Sequence, residues 1–330
     1  MKWLRYLQSA LALCIVGLLI VLIVRTLLSG SSWQPLAARD LASPPAFDLQ
    51  RAAQRLGETI RFETVSYEQG EVADPKAFRD LHKFLKRTYP RVHARMAPEL
   101  VEEFSLLYTL PGSDPSLAPI LLLAHQDVVP VEPGTEQDWE APPFAGDIVD
   151  GIVYGRGAFD NKGSIVAILE AMEGLLATGF EPRRGIVLAF GHDEEVLGSG
   201  AEATARLLQE RGIRPWFALD EGMVVLQDLP LTGEPAALIG LAVTGYLTVQ
   251  VSAGAPGGHS SMPGRASAIE RLSRAVVAIR EKPFRAGFDQ GPAGEMLTSL
   301  APQLGFGARV VIANRWLLEP LLLAGTEASP

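Results

Sequence analysis

Ile120-Leu121-Leu122-Leu123-Ala124-His125-Gln126-Asp127 decides how this chain reads. Five apolar residues make a short buried strand, and the chain then presents an imidazole and, two positions on, a carboxylate. The arrangement recurs downstream. Gly185 to Phe190 precedes Asp193-Glu194-Glu195, Trp216 to Leu219 precedes Asp220-Glu221, and Asp160-Asn161-Lys162 stands ahead of a helical pattern. Any one of these could be a solvated turn, since Asp is common in turns. Four in succession point elsewhere: carboxylates gathered in one cleft repel one another, and paired divalent cations make such a cluster favourable.

Working outward, the rest of the pattern alternates. Phe47 to Phe62 and Pro75 to Tyr89 carry apolar residues at helical spacing, the second with Phe78, Leu81, Phe84 and Leu85 on one face. Phe104 to Leu110 reads as a strand, Gly163 to Thr178 as a helix stopped by Gly179, and Ala201 to Glu210 as a helix stopped by Gly212. Short strands alternating with helices predict an α/β domain with a largely parallel sheet flanked by helices, whose ligands gather outside the strands' carboxyl ends. Near Gly240 the character changes. A strand over Leu247 to Val251, the turn Gly254 to Gly258 and a helix over Ala266 to Arg280 predict a smaller α+β lid or dimerisation domain. The expected division is a segment 1–28, a tether 29–45 rich in Ser, Ala and Pro, a catalytic domain 46–240 and a partial second domain 241–330.

Composition narrows the function. The chain has 330 residues, 48% of them hydrophobic, which is ample for a core. A net charge of -9 argues against nucleic acid as a partner. The single cysteine, Cys14, lies in the first apolar segment, so His, Asp and Glu must hold any metal. Lys2 and Arg5 precede an uncharged stretch from Tyr6 to Val24, closed by Arg25. That reads as a membrane anchor with a cytoplasmic N-terminus, a cleaved signal peptide being its rival. Either one delivers the bulk of the chain to a periplasmic or extracellular compartment.

The segments Ala124 to Pro130, Trp139 to Phe144, Gly155 to Gly163, His192 to Glu195 and Ala218 to Gly222 resemble the aminoacylase and carboxypeptidase family of di-zinc metallopeptidases, within it the carboxypeptidase S and secreted N-acyl-amino-acid hydrolase branch. The resemblance implies a zinc-dependent amidohydrolase with two zinc ions per subunit and a peptide or N-acyl amino acid as substrate. It gives His125 and Asp220 to the first zinc, Glu195 to the second and Asp160 to both, with a cis peptide after Asp160. Asp127 becomes the carboxylate that orients His125, and Glu194 the general base acting on water. His259, after Gly257-Gly258, becomes the donor to the tetrahedral oxyanion, and a homodimer is implied. His82 and His93 match no motif and read as surface residues; His192 reads as packed beside the acidic motif.

One departure stands out. The family supplies a late histidine to the second zinc, and no histidine follows His259 here. The chain therefore reads as ending inside the second domain, with Trp316 to Ala324 as unfinished core or interface. Two expectations follow, a membrane-tethered amidohydrolase and a non-catalytic fragment or partner module that keeps the fold and at most one metal site.

Overall fold

The computed structural model describes residues 2–29, 47–67, 71–229, 232–242, 245, 247–259, 261, 266–283, 286–288 and 291–327, so the expected tether lies almost wholly outside the described residues. The chain divides into two compact units, one of residues 40–222 and one of residues 223–330 together with 1–39.

In the larger unit the helices begin where the sequence supplies caps. Asp48 accepts from the backbone N–H of Arg51 and opens α2 (Leu49–Ile60); Asp74 accepts from that of Lys76 and, with Pro75, opens α3 (Pro75–Thr88). The two-residue strands β1 (Ser66–Tyr67) and β2 (Glu71–Val72) pair with each other. After α4 (Pro90–Arg95) come β3 (Glu99–Val101), β4 (Ser105–Leu110) and β5 (Ile120–His125). A small pair, β6 (Ile148–Val149) and β7 (Ile152–Val153), precedes α5 (Lys162–Ala177), β8 (Ile186–Gly191), α6 (Ser199–Glu210) and β9 (Phe217–Leu219).

Five strands form one sheet in the order β3-β4-β8-β5-β9. Strands β8, β5 and β9 run parallel, because α5 and α6 carry the chain back across the sheet between them. The other side is antiparallel: β3 and β4 form a hairpin, and β4 pairs antiparallel with β8. The α/β class is as expected, but the sheet is mixed. The three residues of β3 are too short to show a period in the sequence.

Alternation along the strands splits the core in two. On one face Leu106, Tyr108, Leu188 and Phe190 pack with Leu81, Phe84, Leu85, Ile165 and Leu169 from α3 and α5. On the other, Leu107, Val187 and Ala189 pack with Leu208 of α6, with Leu121 and Leu123 partly buried beside them. The site grows from the strand ends between these layers.

The smaller unit holds α1 (Lys2–Leu28), whose segment Tyr6–Leu28 is long and apolar enough to cross a membrane. It also holds the paired strands β10 (Val225–Leu226) and β11 (Ala236–Ala237), α7 (Ala268–Arg280), α8 (Pro292–Leu300), α9 (Phe306–Ala313) and α10 (Arg315–Glu327). After α9, the Asn314 side-chain N–H groups donate to the Leu22 carbonyl and the Thr26 hydroxyl of α1. One expectation changes here. Leu247–Val251 does not take strand form, and Leu247 and Val249 are exposed. Trp316 to Ala324 lies within α10, which accommodates Pro320 in its interior.

The central strand carries the sheet's packing. Leu188→Ala, at a fully buried position, is expected to cost about 2–5 kcal/mol, and Leu100→Ala, largely exposed on β3, to stay within about 0.5 kcal/mol. The shift in urea midpoint at constant slope measures both.

Candidate metal centre

Because β5, β8 and β9 are parallel, their carboxyl ends open on one rim. His125 is the last residue of β5; Glu194 and Glu195 follow β8, and Asp220 and Glu221 follow β9. Asp160 comes from the turn ahead of α5, and the Asp160–Asn161 peptide is cis, as the resemblance implies.

The buried His125 ring is held at both nitrogens. Its Nδ1 lies 3.0 Å from the backbone carbonyl oxygen of Asp127. A carbonyl only accepts, so Nδ1 carries the proton and Nε2 is left to face the rim. There it meets Asp160 Oδ1 at 2.9 Å and Glu221 Oε1 at 3.2 Å, with Glu194 Oε2 at 3.9 Å. A nitrogen lone pair pointed at two carboxylate oxygens needs a proton or a cation between them.

The titration directions report the same tension. Burial lowers the pKa of His125, yet Asp127, Glu221 and Glu194 outweigh it and push it up to about 10. Burial, joined by the charges of Asp160, Glu194 and Asp220 and opposed by His125, pushes Glu221 up to about 7. Glu194 and Glu195 are raised too, with burial the largest cause and neighbouring carboxylates adding to it.

The donor set fits a divalent metal. One imidazole nitrogen and two carboxylate oxygens, from His125, Asp160 and Glu221, lie within 4.8 Å of one another, the one such group among the described residues. Ligands about 2.0–2.2 Å from a tetrahedral zinc stand roughly 3.3 Å apart. The His125–Asp160 and His125–Glu221 separations are of that size.

Asp127 does more than orient the imidazole. It is fully buried; Oδ1 accepts from the Glu194 N–H and Oδ2 from the Glu195 N–H, each at 3.1 Å, and the Ser66 hydroxyl also donates to Oδ2. Burial raises its pKa, but hydrogen bonds from His125 and Ser66 outweigh that and keep it lowered. One ionised carboxylate thus ties the end of β5 to the loop after β8. Gln126 locks the same turn from the opposite side. Its side-chain amide donates to the carbonyls of Phe104 and Phe190 and accepts from His82 Nε2 at 2.7 Å.

Several residues stand differently from their sequence reading. Asp220 and Glu195 lie outside the His125–Asp160–Glu221 group. Asp220 Oδ1 accepts from the backbone N–H of Glu221 and so folds back on its own chain, while the adjacent Glu221 reaches His125. Neighbouring residues leaving a strand face opposite ways, and two consecutive acids in the sequence do not say which one approaches His125. Asp193 is structural: its carboxylate accepts from the Gly200 N–H and caps α6, and a Cβ at Gly200 would come within 2.6 Å of that carboxylate. His82 and His93 are half-buried with internal partners and are not surface residues. His82 borders the buried face of α3, and His93, in α4, bonds the Tyr89 carbonyl and the Tyr108 hydroxyl. His192 is packed, as read, with Nδ1 2.7 Å from the Ser105 hydroxyl. His259 belongs to the other unit, exposed, with Nδ1 2.8 Å from the Ser261 hydroxyl.

Two residues had no flag in the sequence beyond their motif. Glu221 is one. Lys162 is the other: fully buried, it donates to the carbonyls of Thr59 and Phe62, and burial pushes it down to about 7. It pins the turn that carries Asp160 to the end of α2.

The sequence profile of peptidase family M20/M25/M40 matches residues 121–302. The chain is 38% identical over 280 residues to the human N-fatty-acyl-amino acid synthase/hydrolase PM20D1, covering 84% of this chain and 55% of that protein. It is 36% identical over 328 residues to the probable carboxypeptidase S-like 2 of Dictyostelium discoideum, covering 96% and 62%. To carboxypeptidase S of Saccharomyces cerevisiae it is 37% identical over 270 residues, covering 78% and 46%. The chain spans about half the length of these relatives.

Glu221 supplies a pH test in the metal-free protein. Its folded pKa near 7 lies above the ordinary value of about 4.3, so the folded state binds the proton more tightly and loses stability as pH rises through that window. Glu221→Gln is expected to raise the thermal midpoint more at pH 8 than at pH 4.5, and with zinc present to lower it. Equal shifts at both pH values would contradict the assignment.

Proposed function

The chain belongs to peptidase family M20/M25/M40, a metal-dependent family, and on that premise we propose that it is a zinc amidohydrolase that cleaves the amide of N-acyl amino acids. The observation that supports this most is the convergence of His125 Nε2, Asp160 and Glu221, with Glu194 beside them. It also weighs against a partner module that only keeps the fold, since a non-catalytic module has no need to gather uncompensated carboxylates around an imidazole.

In this reading His125, Asp160 and Glu221 hold the first cation, Glu221 standing where the resemblance placed Asp220. Asp160 and Glu195 provide for the second. Bound zinc would polarise the amide carbonyl and lower the pKa of the attacking water. Glu194 then takes a proton from that water and returns it to the leaving amine, and its raised pKa suits both halves of the transfer. Asp127 holds the Glu194 backbone in place for this, and His259 is the proposed donor to the oxyanion. The relatives' names point to fatty-acyl amino acids and to carboxypeptidase substrates; both are amides of an amino acid that keeps its free carboxylate. α1 is proposed as the anchor that places the catalytic unit on the periplasmic or extracellular side.

Glu194→Gln keeps shape and hydrogen bonding but cannot take a proton. It is expected to lower kcat on N-acyl amino acids by about 10²–10⁴-fold while the zinc content per chain stays unchanged. Turnover within tenfold of the unaltered chain would remove Glu194 from the mechanism. Removal of metal with a chelator should abolish turnover, and zinc should restore it; turnover that persists in metal-free protein would overturn the reading.

A further inference from the structure

Alternation along β5 puts Leu121, Leu123 and His125 on the same face of the sheet, and that face does not end at the metal centre. A groove of about 750 Å³ runs from His125, Glu194 and Asp220 along Leu123 and Leu121, between the sheet and α6. Its second wall is one face of α6, where Ala201, Thr204, Ala205 and Leu208 recur at helical spacing. His125, Glu194 and Asp220 stand at one end, and the rest of the lining is mostly apolar, with Thr204, Gln209 and Arg214 among the polar exceptions. That is the pattern of a ligand site: an apolar body with a few polar groups that fix orientation.

The small residues make the space. Ala201 and Ala205 are exposed on α6 and stop short of the sheet, while Thr204 and Leu208 are buried. From Leu121 to His125 the strand rises four residues, about 13 Å at roughly 3.3 Å each. A straight hydrocarbon advancing about 1.3 Å per carbon–carbon bond of ~1.5 Å would place about ten carbons along it.

We propose that this groove is the acyl-chain subsite, holding the hydrocarbon tail of a substrate whose amide lies at His125, with Ala201 and Ala205 setting the chain length accepted. The proposal rests on the amidohydrolase reading for the placement of the amide. The groove's continuity with the metal centre selects this occupant: His125 and Glu194 line both, so a chain leaving the reacting carbonyl enters the groove directly. The amino-acid half of the substrate then lies on the other side of the metal centre, outside the groove.

Photo-labelling tests this without requiring turnover. The full chain in lipid nanodiscs is irradiated with a dodecanoic acid carrying a terminal diazirine, and labelled peptides are mapped by mass spectrometry. The label is expected on residues 201–215 or on Leu121–Leu123, competed by an N-dodecanoyl amino acid and not by an N-acetyl one. It should fall at least tenfold in the double variant Ala201→Trp, Ala205→Trp, whose exposed positions spare the core. In the same variant kcat/KM for N-dodecanoyl substrates should fall at least tenfold, with N-acetyl substrates unchanged. Label confined to other segments, or undiminished in the variant, overturns the subsite. Loss of N-acetyl hydrolysis on metal removal tests the amidohydrolase reading separately, so the two can fail independently.

Discussion

The whole rim is organised around one electrostatic conflict: His125 Nε2 meets the carboxylates of Asp160 and Glu221 within hydrogen-bonding distance, and those carboxylates crowd one another. Charges this close in a partly buried site interact strongly, and the protein alone settles the matter by holding a proton on His125 and another on Glu221. A divalent cation resolves the same conflict with every ligand deprotonated. Metal affinity at this rim is therefore coupled to pH, since binding must release those protons.

Holding the conflict in place requires support that is itself free of conflict. Asp127 provides it, because its carboxylate accepts two backbone N–H groups and a hydroxyl and has no unmet demand. Gln126 and Lys162 serve similar ends with neutral carbonyls, the first across the sheet and the second beneath the Asp160 turn. These buried and satisfied groups fix the backbone, which leaves the exposed acids at the rim free to meet a cation.

Much of this was legible in the sequence, and what was not has physical causes. Helices α2, α3, α5 and α6 and strands β4, β5 and β8 follow from runs long enough to show a period of 3.6 or 2. The hairpin strand β3 is too short for that, so the mixed character of the sheet was hidden. The motifs marked which loops converge, and His125, Asp160 and Glu194 do meet at one rim. Where β9 ends, Glu221 approaches His125 while Asp220 accepts from the Glu221 backbone N–H, a local arrangement that the sequence does not display. His82 and His93 read as surface residues because their partners, Gln126 and Tyr108, are distant in sequence. Leu247–Val251 has a strand's composition, but composition alone does not fix the backbone.

X-ray absorption at the zinc edge on the zinc-loaded full chain tests the central claim most directly. The account predicts a first shell of nitrogen and oxygen only, at about 2.0–2.2 Å, with an imidazole contribution that disappears in His125→Ala. Zinc with an imidazole signal unchanged in His125→Ala, or no zinc retained at all, would contradict it.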